Sequence, residues 1–277
     1  MKVSVIFSTY NAPAWLEKVL WGFFNQTVSN FEIVIADDGS GEETRAVIQR
    51  LQATSPVPLR HVWQADDGFQ KCRILNKAIV AATGEYLIFT DGDCIPRADF
   101  VEQHLRYASS DAYLSGGYFK LPMKISEAIT EDDVRTQRAF SARWLEHLGL
   151  RKSYKNWKLT AHGFWSTLLN RISPAKPTWN GHNASCHKVH ALAVNGFDER
   201  MQYGGEDCEF GDRLGNYGLK VKRVRYSAVC VHLDHSRSYV TDAMLEKNQK
   251  IRAETVRKHV VRAPVGLDQY LPAPLKS

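Results

Sequence analysis

The N-terminal part of the chain alternates short apolar runs with stretches of helical period. Residues 3–7 form a β-prone apolar run, and Ser8-Thr9-Tyr10-Asn11 turns the chain. Asn11 and Pro13 then open a stretch in which Trp15, Leu16, Val19, Leu20 and Phe23 recur at the spacing of one helix face. A second run, residues 31–36, ends in Asp37-Asp38-Gly39-Ser40 and leads into a helix over 42–51. A third, residues 59–63, is followed by Asp66-Asp67-Gly68-Phe69 and a helix over 70–82. The fourth is Tyr86-Leu87-Ile88-Phe89, closed by Thr90 and then by Asp91-Gly92-Asp93. The continuous apolar run of residues 86–89 suits a strand covered on both faces. Repeated strand-then-helix order predicts an α/β fold with a mostly parallel, doubly wound sheet. Ligands of such sheets bind beyond the carboxyl ends of the strands, where the polar residues collect here.

The pattern loosens after Asp93. A helix is expected over 99–107 and a strand over 112–118. Residues 126–176 form a basic segment, helical in its first half, that also carries Phe140, Trp144, Tyr154, Trp157, Phe164 and Trp165. Gly181-His182-Asn183-Ala184-Ser185-Cys186-His187 follows, then Asn195-Gly196-Phe197-Asp198 and Tyr203-Gly204-Gly205-Glu206-Asp207. A helix over 208–217 and closing strands over 221–226 and 228–231 lead to His232 and His235. A charged helix over 241–259 and a proline-containing tail end the chain.

Composition narrows the function classes. No run of about 18 apolar residues is present, so no transmembrane helix is expected. The N-terminus enters a strand pattern at once and lacks a signal-peptide core. Five cysteines without a C-x-x-C fit reduced thiols, and with the preceding points they lead us to expect a cytoplasmic protein. The net charge of +6 is concentrated in 135–176, where nine Lys or Arg face one acid, Glu146. Such a segment suits nucleic acid, an anionic membrane or an acidic substrate. Its aromatics either face that partner or pack inward as an ordinary amphipathic insertion. Neither G-x-G-x-x-G nor a P-loop is present, so a bound phosphate would rest on metal and side chains.

Three groups carry candidate chemistry. Asp91 and Asp93 flank a glycine at a strand end, an arrangement suited to a divalent cation on a diphosphate. Asp93 with His235, or second with His232, offers a carboxylate and an imidazole, which fits Mn²⁺ or Mg²⁺. Glu206 and Asp207 open a helix behind two glycines, and either cap it or supply a general base. His182, Cys186, His187 and His190 have no recognised zinc spacing.

Taken in order, residues 5–11, 35–40 and 86–93 resemble the family 2 inverting glycosyltransferases with the A-type nucleotide-sugar transferase fold. Asn195-Gly196-Phe197 and residues 203–207 are similar to the acceptor half of chondroitin polymerase and the animal β-1,4-galactosyltransferases. The resemblance covers about residues 3–235, leaving out the basic segment and the tail. It implies one glycosyltransferase domain over 1–238. A nucleotide-sugar half would span 1–118 and an acceptor half 119–238, with 239–277 as a helical C-terminal extension. It implies that Thr9 and Asp38 hold the uracil and ribose of a UDP-sugar, that Asp91 reaches ribose or sugar, and that Asp93 and His235 ligate the metal. Tyr203 would stack on sugars, Asp207 would be the base, and Glu206 with Gly205 would meet acceptor or donor. Asp67 lies in one of the four edge loops and joins the substrate-binding set. Relatives often carry Arg-Asn before the Asp-x-Asp strand. Here the pair is Leu75-Asn76, so Lys71 or Arg73 would supply the cation beside Asn76. The implied reaction is metal-dependent, inverting sugar transfer to a glycan or lipid-linked glycan, in lipopolysaccharide or capsule synthesis. The basic segment would touch the anionic inner face of a membrane. A sugar nucleotidyltransferase and a non-enzymatic nucleic-acid binder are the rival readings; the second leaves the acidic loops without a role, and no nucleic-acid partner is expected.

Overall fold

The computed structural model describes residues 1–235 and 240–271. Four parallel strands build its centre: β1 (Val3–Thr9), β2 (Phe31–Asp37), β3 (Leu59–Trp63) and β4 (Tyr86–Asp91). Along them alternate residues serve opposite faces. Val5, Phe7, Ile33, Ile35 and Ile88 enter one apolar cluster, whereas Ile6, Val34, Ala36, Leu87 and Phe89 enter the other. Burial on both faces is why β1, β2 and β4 are largely apolar, whereas the edge strand β3, Leu59-Arg60-His61-Val62-Trp63, is mixed in sequence and partly exposed. Helices α1 (Pro13–Phe24) and α2 (Glu42–Thr54) cover the first face through Leu16, Val19, Leu20 and Ile48. Helix α3 (Lys71–Ala81) covers the second through Cys72, Ile74, Ala78 and Ile79.

Further along the chain lie β5 (Cys94–Pro96), α4 (Phe100–Tyr107), β6 (Ala112–Ser115), β7 (Gly117–Lys120), β8 (Asn183–His187), β9 (Lys220–Arg223) and β10 (Val229–His232). The main sheet has the order β3-β2-β1-β4-β8-β6-β9, and a small sheet has the order β5-β10-β7. Only β8 runs against its neighbours in the main sheet. The expected mostly parallel α/β sheet is present.

Two strands escape the periodicity. β5 is three residues long, and Asn183-Ala184-Ser185-Cys186-His187 has no β-branched or large apolar side chain. β8 is held by buried polar pairs instead. The His104 ring contacts Ser185 Oγ at 2.8 Å and Asn183 Oδ1 at 3.0 Å, and Tyr86 Oη meets Ser185 Oγ at 2.8 Å. The single strand expected over 112–118 is two strands in different sheets, broken at Gly116. A Cβ at Gly116 would overlap the Asn183 amide. That amide is needed below, where Asn183 Nδ2 donates to Gly117 O at 3.1 Å and Ala228 O at 2.9 Å.

Helices occupy both halves of the basic segment, ending with Gly163–Ile172. The C-terminal stretch packs back onto the preceding part of the chain. Its helix Asp242–Arg257 lies along the helix Glu206–Asn216, with Arg252 2.7 Å from Asp212 and Thr255 Oγ1 2.8 Å from Glu209. Leu267 is buried in the second cluster.

Replacing Gly116 by Ala should destabilise the protein by about 3 kcal/mol, since neither Asn183 nor the strand break can yield. Thermal melting checks this. A melting curve like that of the unsubstituted protein would show that the Asn183 contact is not tight.

Candidate active site

Loops after β1, β2, β3 and β4 meet at one edge of the sheet. They face Tyr118, Gly181-His182, residues 203–207, His232 and His235 across a cleft of about 910 Å³. The register explains the convergence: Ser8 lies beside Asp91 and Thr9 beside Asp37, so the strands end level.

One wall carries Thr9 and Asp38. Asp37 turns away, with His61 at 2.8 Å and the Ser40 amide donating to it. Asp38 accepts from the Gln70 backbone N–H at 2.9 Å and from Gln64 Nε2 at 2.7 Å. Burial nevertheless pushes its carboxyl up to about 6. Thr9 Oγ1 is buried and, among the described residues, has no hydrogen-bond partner. A buried hydroxyl without a partner is one that a ligand can satisfy.

Asp91 and Lys71 form the floor, 2.7 Å apart, each keeping about a fifth of its side-chain surface open (23% and 20%). Burial alone would raise Asp91, but the Lys71 ammonium holds its carboxyl below the usual range. Burial would likewise lower Lys71, and Asp91 with Glu206 holds it above the usual lysine range. Lys71 is therefore a fixed cation in the cleft.

Asp93, His232 and His235 make the next group. Asp93 Oδ2 is 2.9 Å from His235 Nε2 and 3.6 Å from His232 Nε2. Asp93, Cys94 and His232 bring ligand atoms within 4.8 Å of one another. Burial pushes the Cys94 thiol well above its ordinary value, so it stays protonated and is a poor ligand. The remaining carboxylate and imidazoles suit a hard or borderline divalent cation. Both histidines lie beside Asp93, and His232 is the more buried.

The opposite wall is the start of the helix Glu206–Asn216. Gly204 and Gly205 adopt φ of 107° and 84°, which brings the chain in tightly before the helix. Glu206 accepts from the Gly204 amide at 2.9 Å. Asp207 accepts from the Cys208 amide at 2.6 Å and from the Gly181 amide at 3.2 Å. Both acids thus accept from backbone N–H groups and line the cleft at once. Burial pushes Glu206 up to about 7, with Lys71 opposing and Asp207 adding to the rise.

Residues 4–168 match the profile of Glycosyl transferase family 2, more than half of the chain. The chain belongs to that family. Residues 172–236 of this family 2 glycosyltransferase domain match the profile described as the N-terminal domain of galactosyltransferase. Validoxylamine A glucosyltransferase of Streptomyces hygroscopicus subsp. jinggangensis is 26% identical over 271 residues, covering 90% of this chain and 60% of that protein. Chondroitin synthase of Escherichia coli is 28% identical over 247 residues, covering 80% and 33%. The chain spans between 24% and 60% of the length of these and the other leading curated relatives. Among solved structures, Staphylococcus aureus TarS 1–349 in complex with UDP-GlcNAc has a TM-score of 0.62 at 15% identity, covering 97% of this chain and 69% of that one. A mannosyltransferase of Pyrobaculum calidifontis in complex with GDP-Man and Mn²⁺ has a TM-score of 0.58 at 20% identity, covering 86% and 58%. These likenesses establish the A-type glycosyltransferase fold.

Of the residues named from sequence, Thr9, Asp38, Lys71, Asp91, Asp93, Tyr203, Gly205, Glu206, Asp207, His232 and His235 share the family 2 cleft. Asp67, Arg73 and Asn76 do not line it. Asp67 and Arg73 approach each other at 3.5 Å nearer the surface. Asn76 is fully buried and braces α3 against the Phe197 backbone, donating to Phe197 O at 2.8 Å and accepting from the Phe197 amide at 2.7 Å. Of the two cations offered for this helix, Lys71 is therefore the one in the cleft.

Tyr118 and His182 also line the cleft, outside the set named from sequence. Tyr118 stands between His182 and His232, with ring centroids 4.6 and 4.9 Å away. Its place between two sheets has no sequence signal. His182 was set among the histidines of a doubtful zinc cluster, yet it faces the cleft. Burial lowers it to about 3, so it is neutral. The strand that follows it, Asn183–His187, carries no strand signal of its own, so local pattern does not mark His182.

Glu206 gives a pH test. Its folded value of about 7 lies above the ordinary 4.5, so the folded state holds the proton more tightly and loses stability as pH rises from 4.5 through 7. Glu206→Gln removes that loss. The variant should gain on the order of 3 kcal/mol over the native protein between pH 5 and pH 8. Melting temperatures at both pH values check this, and a constant difference would mean that Glu206 ionises normally.

Proposed function

We propose that this domain transfers a sugar from a nucleotide-diphosphate donor, a UDP-sugar, to a glycan hydroxyl with inversion at the anomeric carbon. The observation that carries the reading is a single cleft with three parts: Asp38 and Thr9 on one wall, Lys71 and Asp93 with its histidines on the floor, and Glu206 and Asp207 opposite. The structure of TarS with UDP-GlcNAc and that of the mannosyltransferase with GDP-Man and Mn²⁺ support a nucleotide-sugar donor and a divalent metal.

In this reading Thr9 and Asp38 bind the uracil and ribose, and Asp91 orients the ribose or sugar. Asp93, His235 and His232 would hold Mn²⁺ or Mg²⁺. When bound there, such an ion supplies positive charge that the departing diphosphate requires. Lys71 adds a fixed cation of this chain's own, placed before the reaction begins. Tyr203, whose ring meets Phe69 edge-on at 5.7 Å, gives a platform for a sugar face. Asp207 accepts the proton of the acceptor hydroxyl as that oxygen bonds to the anomeric carbon and the bond to the diphosphate breaks. Attack opposite the leaving group inverts the centre. Glu206, half-protonated near pH 7, can donate to or accept from a sugar hydroxyl.

Relatives named chondroitin synthase and hyaluronan synthase support a growing glycan as acceptor. We place the reaction in lipopolysaccharide or capsule synthesis, on a lipid-linked chain at the inner membrane face. No helix among the described residues is long and apolar enough to cross a membrane.

Incubation with a panel of UDP-sugars and Mn²⁺ tests the reaction class. UDP release is expected, whereas pyrophosphate release would mean nucleotidyl transfer. Excess EDTA and Asp93→Ala should each remove nearly all turnover, and Asp93→Ala should also weaken Mn²⁺ uptake in equilibrium dialysis. Full turnover in EDTA would sink the metal assignment. Asp207→Asn should lower kcat by roughly 10²–10⁴-fold with donor affinity retained. Loss of donor affinity with kcat intact would assign Asp207 to the donor instead.

A further inference from the structure

The helix Gly163–Ile172 is amphipathic in the wrong sense for a soluble protein. Its buried positions are polar, Ser166 and Asn170. Asn170 Nδ2 donates to Ser227 Oγ at 2.8 Å, Asn170 Oδ1 accepts from the Tyr226 amide at 2.9 Å, and Ser166 Oγ lies 3.1 Å from Ser227 Oγ. Its outward positions are apolar: Phe164 is 74% exposed, Trp165 66% and Ile172 65%. These recur at helical spacing with the half-buried Leu168, so they form one stripe. Just before it in the chain, Tyr154 and Trp157 are 76% and 71% exposed. Large aromatics and an isoleucine gathered outward are unusual for a free surface and mark a place of contact. The inward polar bonds hold the helix in this rotation, so turning it over would leave Asn170 and Ser166 without partners.

Charge says what covers the stripe. Arg151, Lys152 and Lys155, in the stretch that precedes the helix in the chain, and Arg171 on the helix itself are all exposed. Among the described residues no ion pair involves any of the four, although Arg135 and Arg138 of the same segment are paired with Asp132. The one acid of residues 135–176, Glu146, is engaged by Asn156 Nδ2 at 3.0 Å. Apolar rings that can enter an interface, flanked by cations with no protein counter-charge, match an anionic lipid surface on both counts. We propose that this face, formed by residues 151–172, docks on anionic phospholipid bilayers.

The surface is wired to the cleft. Lys158, next to Trp157, is buried and donates to Tyr118 O at 2.6 Å. Tyr118 in turn packs against His182 and His232 on the cleft wall. Docking would therefore hold the acceptor side of the cleft at the lipid surface. This extends the transferase reading to where the acceptor is met, but vesicle binding is measured without donor or acceptor, so either can fail alone.

Flotation with phosphatidylcholine vesicles, with and without phosphatidylglycerol, at low and high salt tests the docking. Binding is expected only to the anionic vesicles and should weaken with salt. Each cation contributes roughly fivefold to the partition. The triple change R151E/K152E/K155E should therefore lower binding at least tenfold, and so should F164S/W165S, with melting temperatures unchanged because these side chains face solvent. Equal recovery of the native protein in the unbound fraction with both vesicle types would overturn the proposal. So would binding that neither variant weakens. A concentration-dependent dimer abolished by F164S/W165S, without vesicle binding, would assign the face to a second copy. Preference for an RNA oligonucleotide over vesicles would assign it to nucleic acid.

Discussion

The Lys71–Asp91 pair is the contact on which the cleft depends. Asp91, Glu206 and Asp207 come from a strand end and a helix start more than a hundred residues apart in sequence. Gathered without a cation, such acids repel, and burial raises the cost of each charge. Lys71 lies at the first position of α3, where the strand-to-helix turn delivers it to the sheet edge. Its ammonium lies 2.7 Å from Asp91, and it also acts on Glu206 and Asp207. The same lysine therefore lets acids from both parts of the chain gather in one cleft and supplies a positive charge there.

The two halves of the domain are joined by polar braces rather than by apolar packing alone. Asn76 on α3 both donates to and accepts from the backbone at Phe197. Asn195 does the same for the C-terminal stretch, donating to Ala263 O at 2.8 Å and accepting from the Asp268 amide at 2.9 Å. Buried amides with both ends satisfied tolerate little displacement, because a shift leaves donors unpaired. That fixes the distance between Lys71, at one end of α3, and the acidic helix start beyond Phe197. The basic segment uses the same device in reverse, with Asn170 and Ser166 inward and its rings outward.

The sequence by itself determined the parallel sheet and one side of the cleft. Strands buried on both faces must be largely apolar, and helices between them must show one apolar face, so β1, β2, β4 and α1 to α3 are legible from local pattern, and the order of elements marks the edge strand β3 between α2 and α3. Residues that follow such strands must gather at one edge, which locates Thr9, Asp38, Asp91 and Asp93. Tertiary structure alone decided the rest. β8 owes its place to His104 and Tyr86, far from it in sequence, and its own residues carry no strand signal. Asn76, Asp67 and Arg73 share a helix or loop with Lys71, yet only Lys71 enters the cleft, because helix rotation is set by packing on the sheet. The aromatics of the basic segment divide likewise: Phe140 is buried, while Phe164 and Trp165 face solvent. Composition cannot state which way a short helix turns. Hydrogen bonds of Asn170 with Ser227 Oγ, which accepts, and with the Tyr226 amide, which donates, both from a distant turn, make that choice.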